Sequence, residues 1–260
     1  MKLEVFKNDD YKDYVPVYSY NIVFPVYNEE KRLEKGIVNT IRYLSKFDKL
    51  NYVINIVDNA SNDSTEKIAL SLCERFKNVY YTKIKEKGVG IAFKTAVLNN
   101  KSDIIGYMDI DLSTKIDHLK DVISIFENRL DVDLVNGSRW NKLSKTSGRK
   151  KYRVLTSKGL VFLLKLFLKM KSSDGICGFK FFRSETAKEL INISAQENGW
   201  FFIIEMLIRA ERINKKIIEL PVHWEDDNQN STVKTGSQIR NYLHHIKRLR
   251  KQFRKEKQGK

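Results

Sequence analysis

The sequence between residues 104 and 113 reads IIGYMDIDLS, an apolar run that ends in two aspartates one residue apart. The apolar run predicts a buried strand over residues 104–109. Alternation along an extended chain places Asp109 and Asp111 on the same side, where two carboxylates repel each other unless a cation lies between them. An isolated Asp-X-Asp is more often a solvated acidic loop. Its position directly after a strand favours a Mg²⁺ or Mn²⁺ site that also binds a diphosphate.

Short apolar runs alternate with helical spacing on both sides of this segment. The other strands predicted in the first half of the chain lie at residues 22–26, 54–58, 79–83 and 134–137. The helices predicted between them lie at residues 30–44, 64–76 and 89–99. This alternation is typical of βαβ units, so we predict an α/β fold with a Rossmann-like, mostly parallel central sheet flanked by helices. Ligands of such sheets bind beyond the carboxyl ends of the strands.

The pattern is looser after about residue 150. It predicts, in order, a basic segment, an apolar stretch at 159–170, a strand at 179–182, a helix from Ser184, an apolar helix at 200–213, a strand at 217–222 and a basic helix from about Gln238. With 12 Gly, 3 Pro and no tract rich in these residues, the chain shows no linker between domains. We therefore expect an N-terminal extension (1–19), a single catalytic domain (20–237) and a basic C-terminal helix (238–260).

The composition indicates anionic partners. The 260 residues carry 48 Lys and Arg against 32 Asp and Glu, a formal net charge of +16. Such a charge suits nucleic acid, a membrane surface or phosphorylated substrates. The chain has no helix-turn-helix, zinc or RNP-like pattern, and the carboxylates at the sheet edge would repel a phosphate backbone, so we expect no nucleic-acid partner. The charged N-terminus lacks the apolar core of a signal peptide, which predicts a cytoplasmic protein.

Two further turns carry polar side chains at predicted strand ends. The first strand is followed by PVYNEE (25–30), and the second ends in DNASNDST (58–65). Either turn alone is more often only a strand-to-helix connection with a helix cap. Both turns at matching strand ends favour a binding crevice. The first turn also lacks the Gly-X-Gly-X-X-Gly pattern that a nicotinamide dehydrogenase would carry there.

Eight short motifs occur in order between about residues 20 and 235. They are FPVYNE (24–29), VDNAS (57–61), KEKGVG (85–90), DID (109–111), GSR (137–139), DGICGFK (174–180), GWFFIIE (199–205) and PVHW (221–224). Together they resemble the inverting family 2 glycosyltransferases, which have the GT-A fold, and in particular the branch that includes dolichyl-phosphate mannose synthase and dolichyl-phosphate glucosyltransferase. CGFKFF (177–182) resembles the glucosyltransferases and 199–205 the mannose synthases, so the donor sugar stays open.

The resemblance implies a transfer of hexose, with inversion, from a UDP- or GDP-sugar to a polyprenyl phosphate. It implies that the nucleotide-sugar is bound by Pro25, Tyr27, Glu29, Asp58, Lys87 and Asp109. It also implies a metal ion, Mg²⁺ or Mn²⁺, at Asp109 and Asp111. The family often has Gln where this sequence has Ser113, which is the candidate third ligand. Gly88 and Gly90 would let the backbone approach the nucleotide.

The same resemblance also implies which residues bind the acceptor. Arg139, Arg153 and Ser157 match positions that bind the acceptor phosphate in the polyprenyl-phosphate branch, a task that suits the planar guanidinium. The candidate catalytic residues are Asp111, Asp174 and Glu205. Asp174 and Glu205 are candidate bases, and each is equally well interpreted as a structural carboxylate. A lipid phosphate is already anionic and needs no strong base. The alternative acceptor, a hydroxyl of a cell-envelope glycan, teichoic acid or capsule precursor, would need one.

The apolar stretch 159–170 is too short to cross a bilayer, which takes roughly 20 residues. Lys158, Lys165 and Lys169 fall on one face of the helix that it predicts. Such a helix, with the basic C-terminal helix, could lie on the inner face of a membrane as a peripheral anchor. An ordinary amphipathic helix packed on the sheet is an equal alternative.

Overall fold

A computed structural model describes residues 3–7, 14–195, 197–226 and 235–258. Its strands are β1 (Glu4–Val5), β2 (Ser19–Val26), β3 (Asn51–Asn59), β4 (Val79–Ile84), β5 (Ile104–Met108), β6 (Leu134–Ser138), β7 (Lys145–Ser147), β8 (Phe179–Arg183), β9 (Ile217–Pro221) and β10 (His223–Glu225). Eight of them form one sheet in the order β1, β9, β6, β8, β5, β2, β3, β4, and β7 pairs with β10 in a small second sheet.

Helices cover the sheet. They are α1 (Leu33–Leu44), α2 (Thr65–Arg75), α3 (Val89–Leu98), α4 (His118–Asn128), α5 (Lys151–Leu168), α6 (Ser184–Ile193), α7 (Trp200–Arg212) and α8 (Thr235–Gln258). Alternating strand residues bury opposite faces: Ile22 and Phe24 of β2 belong to one core cluster, whereas Val23 belongs to the other. A third cluster joins α5, α7 and α8 through buried residues such as Leu164, Ile204 and Leu249.

The predicted fold class is confirmed, with one feature that the sequence did not reveal. All neighbouring strands of the large sheet run parallel except β8, which is antiparallel to both β5 and β6. Gly106 of β5 makes room for this strand, because a Cβ at that position would lie 2.1 Å from the ring of Phe181. Hydrophobic alternation predicts that residues 179–182 form a strand, but it is identical for either strand direction.

Several elements differ from their predicted extents. Residues 4 and 5, within the predicted N-terminal extension, add an edge strand parallel to β9. Helix α5 starts at Lys151, so most of the basic segment and the apolar stretch form one helix. Helix α8 starts at Thr235, three residues before the predicted start. The domain boundaries at residues 20 and 237 stay predictions. In the described part of the chain, no helix combines the length and the apolarity that a membrane crossing requires.

Candidate active site

The residues predicted to bind the nucleotide lie where β2 and β3 end side by side, with Val26 opposite Asp58. Asp58 is fully buried. Its two oxygens accept hydrogen bonds from the Tyr81 hydroxyl at 2.8 Å and from the Ser61 amide at 2.9 Å. The two turns are tied together, since the Asn62 amide donates to the Asn28 side chain at 2.9 Å. The structure thus brings both polar turns of the sequence to one edge of the sheet.

The other predicted donor residues lie at the same edge. Pro25 pairs with Val57 in the β2–β3 register. The ammonium group of Lys87 lies 4.1 Å from the ring centroid of Tyr27 and donates to its hydroxyl. Glu29 accepts two hydrogen bonds from Arg32, at 2.8 and 2.9 Å, and burial raises the pKa of its carboxyl. Tyr27 and Lys87 therefore form a preassembled aromatic and cationic pair beside the crevice.

The glycines of residues 85–90 make close backbone contacts within the protein, and their expected approach to the nucleotide stays a prediction. A Cβ on Gly88 would lie 1.9 Å from the carbonyl oxygen of Asn198, and one on Gly90 would lie 2.5 Å from that of Gly199. Gly88 also has φ +148°, a conformation that L side chains rarely adopt. Both glycines therefore allow α3 to approach the protein's own segment before α7, and the close contact is with backbone of the chain itself.

The two aspartates follow β5 in a tight turn. The Asp111 carboxylate accepts the Ser113 amide at 2.9 Å, and Leu112 between them has φ +53°. Asp109 lies against Gly178, where a Cβ would come within 2.1 Å of its Oδ2. Burial, and then repulsion from Asp111, raise the pKa of Asp109 to about 8, and Arg139 and Lys180 only partly offset this. If both carboxyls were ionised, the pair would carry more negative charge than Arg139 and Lys180 neutralise.

These residues fit a divalent metal ion. The oxygen ligands are those that Mg²⁺ and Mn²⁺ prefer, and a cation between the two carboxylates would offset the repulsion that, after burial, raises the pKa of Asp109. No group of three or more His, Cys, Asp or Glu side chains suits a metal within the described residues. That count agrees with Mg²⁺ sites that use one or two carboxylates and complete their coordination with substrate phosphates and water. Ser113 is buried beside the pair and stays the candidate third ligand.

One cavity of about 410 Å³ connects the aspartates to the predicted acceptor residues. Its polar lining includes Asp109, Asp111, Ser113, Arg139, Arg149, Arg153 and Ser157. Its apolar lining includes Leu160, Leu163, Ile176, Trp200, Tyr242 and Leu243, which come mainly from α5, α7 and α8. The structure therefore brings the predicted metal-binding residues and the predicted acceptor residues to one cavity whose lining is partly charged and partly apolar.

Arg139 and Asp174 form a buried ion pair at the wall of this cavity. The guanidinium donates to the carboxylate through Nε at 2.7 Å and Nη2 at 3.1 Å. Amides of Ile176 and Cys177 donate to the same carboxylate at 2.9 and 3.2 Å. Burial alone would raise the pKa of Asp174, but Arg139 lowers it below the ordinary value. Asp174 is thus held as a carboxylate with no exposed surface, which is the geometry of a structural group.

The structure does not bring Glu205 to the cavity. It lies fully buried on α7, where it accepts from Arg209 at 2.9 Å and from Arg248 of α8 at 2.6 Å. The Ala195 amide donates to it at 3.0 Å. Its contacts hold α8 on α7, because a buried carboxylate needs such partners. A role for Glu205 or Asp174 as a base stays a prediction that this geometry does not favour.

Two residues at the site were missed by the sequence interpretation. Lys180 of β8 is fully buried, donates to the Cys177 carbonyl, and lies close enough to Asp109 to lower its pKa. A lysine in the middle of an apolar strand, FKFF, was the available signal. Arg149 precedes α5 and its guanidinium carbon lies 4.9 Å from the ring centroid of Trp224. Nothing distinguished it within the basic run at 149–153.

The mostly parallel sheet with its flanking helices is the GT-A fold of glycosyltransferases. The glycosyl transferase family 2 model matches residues 21–191, and the chain therefore belongs to that family of enzymes. The match includes β2 through α6, and with them the polar turns, the aspartate pair, Arg139 and Asp174. The predicted resemblance to family 2 glycosyltransferases is confirmed.

Similar proteins include a glycosyltransferase and two dolichyl-phosphate beta-glucosyltransferases. Over 207 residues the chain is 30% identical to the glycosyltransferase AglD of Haloferax volcanii, which covers 79% of this chain and 33% of AglD. It is 29% identical to the dolichyl-phosphate beta-glucosyltransferase ALG5A of Trichomonas vaginalis, covering 79% of this chain and 65% of that protein. The human dolichyl-phosphate beta-glucosyltransferase is 28% identical, with 81% of this chain and 68% of that protein covered. The chain thus spans a third of AglD and about two thirds of the glucosyltransferases.

Solved structures confirm the architecture. The glucosyl-3-phosphoglycerate synthase of Mycobacterium tuberculosis superimposes with a TM-score of 0.65 at 16% identity, covering 87% of this chain and 78% of that one. A complex of that enzyme with Mn²⁺, UDP and glucosyl-3-phosphoglycerate gives a TM-score of 0.63 at 17% identity, with 88% and 80% covered. At these identities the likeness shows the fold.

Proposed function

We propose that this protein transfers a hexose from a nucleotide-sugar, UDP- or GDP-linked, to a polyprenyl phosphate, with inversion and with Mg²⁺ or Mn²⁺. One observation carries the proposal: the Asp109–Asp111 pair, three arginines and a set of apolar side chains line a single cavity. A sugar diphosphate at the aspartates and a phosphate monoester at the arginines would meet within it. An isoprenoid chain suits the apolar side chains. The names of the dolichyl-phosphate relatives support the same acceptor class.

The proposed chemistry follows from the side chains present. Asp109 and Asp111 would hold the divalent ion, which supplies positive charge to the leaving diphosphate. An oxygen of the acceptor phosphate attacks the anomeric carbon from the face opposite the diphosphate, so one C–O bond forms as the other breaks and the configuration inverts. Tyr27, Lys87 and Asp58 orient the nucleotide.

The ionisation state of the acceptor decides between the two candidate acceptors. A phosphate monoester is already anionic near pH 7, so no base is required. Asp174, the candidate base nearest the cavity, is engaged by Arg139 and has no exposed surface. A glycan or teichoic acid hydroxyl would need a base that can reach it. This geometry favours the lipid phosphate.

We further propose a peripheral position on the inner, cytoplasmic face of a membrane. An apolar stripe lies on the exposed face of α5: Tyr152, Leu155, Phe162 and Leu166 are 52%, 74%, 63% and 58% exposed. Exposed lysines flank the stripe at 151, 158, 165 and 169. Exposed apolar groups bordered by cations suit the boundary between anionic headgroups and acyl chains.

The residues that would meet the membrane differ from the predicted ones. Among the apolar residues of 159–170, Leu164 and Leu168 are buried in the cluster with α7 and α8, and Leu160, Leu163 and Phe167 pack against it. Only Phe162 and Leu166 of that set are strongly exposed. Tyr152 and Leu155, upstream of the stretch, complete the surface.

The test of the activity is a screen with purified full-length protein. UDP- and GDP-hexoses are offered with Mg²⁺ or Mn²⁺ against undecaprenyl phosphate, dolichyl phosphate and glycan hydroxyl acceptors, and release of nucleoside diphosphate and labelled lipid is measured. We expect transfer to a polyprenyl phosphate that EDTA or Asp111→Asn reduces by about 100-fold or more, because both remove the charge that stabilises the leaving group. Transfer to hydroxyl acceptors alone would contradict the proposal, and full activity in EDTA would contradict the metal assignment.

A further inference from the structure

The three arginines of the cavity differ in whether a carboxylate already neutralises them. Arg139 is paired with Asp174 at 2.7 Å, and Arg153 lies 3.4 Å from Asp226. Arg149 forms no ion pair within the described part of the chain. Of the three arginines that line the cavity, Arg149 is therefore the one without a carboxylate partner among the described residues. The family resemblance instead assigns the acceptor phosphate to the other two.

Arg149 is nevertheless held in place. Its Nη2 donates to the Ser157 hydroxyl at 2.8 Å, and its guanidinium carbon lies 4.9 Å from the Trp224 ring centroid and 5.8 Å from that of Trp140. Its Nε and Nη1 are buried and make no hydrogen bond among the described residues. Leaving a buried charged donor without a hydrogen bond destabilises the fold. A guanidinium that only supported the indole rings would not require two such unpaired nitrogens.

The electrostatic environment agrees with an uncompensated cation. Burial, and then the positive charge of Arg139, lower the pKa of Arg149 to about 10. Asp226 and Asp174 act on it only from a distance and offset the effect in part. Arg149 stays protonated at neutral pH, so an anion that entered the cavity would meet a cation that forms no ion pair with the carboxylates of the described residues.

We propose that Arg149, together with the Ser157 hydroxyl that it contacts, binds the phosphate monoester of the acceptor, and that Arg139 acts as a positioning residue whose charge is already taken up by Asp174. The inference rests on the proposed function, because it names the group that recognises the acceptor of that reaction. It predicts a ligand chemistry, a phosphate monoester dianion, that two sources can supply: a polyprenyl phosphate or a soluble phosphomonoester such as 3-phosphoglycerate.

The test compares Arg149→Met with Lys150→Met. Methionine keeps apolar contact with Trp224 and removes the charge. Lys150 is the neighbouring exposed residue, so its substitution removes the same charge without entering the cavity. Binding of farnesyl phosphate, 3-phosphoglycerate and inorganic phosphate is measured by calorimetry without donor, and acceptor KM is measured where transfer occurs. Circular dichroism, melting temperature and binding of UDP report folding and the donor side.

We expect Arg149→Met to weaken farnesyl phosphate binding and raise the acceptor KM by about tenfold or more, the effect of losing a charge-assisted hydrogen bond. UDP binding should change less than twofold, and Arg149→Lys should restore only part of the loss, because lysine lacks the planar fork. Lys150→Met should behave like the wild type. Stronger binding of farnesyl phosphate than of 3-phosphoglycerate identifies the lipid source, and the reverse order identifies the soluble one.

Two outcomes would overturn the inference. One is a wild-type protein that binds none of the three phosphates; the other is a folded Arg149→Met variant whose phosphate affinity and acceptor KM match those of Lys150→Met. Arg149-dependent binding of farnesyl phosphate without any sugar transfer would leave the inference standing and contradict the proposed function alone.

Discussion

The position of the Asp109 carboxylate depends on the absence of a side chain at Gly178. An added Cβ would lie 2.1 Å from Asp109 Oδ2, so Gly178→Ala must displace the carboxylate or the turn. We expect about a 100-fold loss of transfer, since a displacement of about 1 Å costs that much in an active site. Mn²⁺ titration should show weakened metal binding. Gly159→Ala is the matched control, because nothing lies within 4 Å of its added Cβ, and its metal affinity should equal that of the wild type.

The pKa of Asp109 gives a second prediction at this scale. Burial and Asp111 raise it from 3.8 to about 8 in the metal-free protein, so the carboxyl is mostly protonated at pH 7. A divalent ion must displace this proton, and its affinity should rise with pH and level off above about pH 8. The ionised group is disfavoured in the fold, so metal-free protein should also lose stability as pH rises towards 8.

Calorimetry in two buffers with different ionisation enthalpies measures the proton release directly. Mn²⁺ binding should release about one proton at pH 7 and almost none at pH 9. Asp109→Asn provides the control, since it cannot release that proton. An affinity that is the same at pH 6.5 and pH 9 would show that Asp109 is ionised without metal.

The positions of candidate site residues could be predicted where the signal was local. Asp109 and Asp111 follow a strand and are two residues apart, and alternation predicts that they face one side, as in the cavity that both line. The ion pair between Arg139 and Asp174 could not be predicted, because the two residues are 35 positions apart in the chain. Arg149 looked like any other cation in a basic run, and only the contacts of its side chain distinguish it from a solvated one.

Among the helices, α5 carries the exposed apolar stripe of the proposed membrane contact. We expect Leu155→Glu with Phe162→Glu to reduce binding to anionic liposomes by about tenfold or more, because two exposed apolar groups of the stripe become charged. Leu98→Glu with Leu130→Glu is the matched control: these leucines are 61% and 75% exposed and lie outside α5. Sedimentation at low and high salt measures both.

The liposome experiment also separates the two contributions to docking. Residual binding by the α5 variant should be abolished by salt, since it comes from exposed cations such as Lys247 and Arg250 of α8. If the intact protein stays in solution with anionic liposomes at low salt, the peripheral position is wrong. If both double variants lose binding equally, the stripe on α5 is not the contact surface.

The sequence did not predict the full extent of α5, the direction of β8, helix α4 or the short strands β1, β7 and β10. The segment before residue 159 mixes basic residues with apolar ones, so periodicity began the helix eight residues late. In the first turn of α5, Arg153 contacts Asp226, and this long-range contact has no local pattern. The parallel core, in contrast, followed from strand and helix lengths alone.

For the whole molecule, we propose that one cavity holds two phosphate-bearing substrates. The net charge of +16 is compatible with several anionic partners, but the lining of the cavity combines a carboxylate pair, cations and apolar side chains. Nucleic acid would make little use of the apolar side chains, and a soluble phosphomonoester would leave them without a partner. A polyprenyl phosphate uses all three parts.

The most direct test of this proposal is to determine the chemical structure of the product that the purified chain makes. Full-length protein is incubated with an α-linked nucleotide-hexose, a short polyprenyl phosphate and Mn²⁺, and the lipid is analysed by mass spectrometry and by ¹H and ³¹P NMR. We predict a lipid with one hexose joined through a single phosphate, in the β configuration that in-line displacement requires. A sugar bonded to a hydroxyl, an α-linked product, or free hexose as the only product would contradict the account.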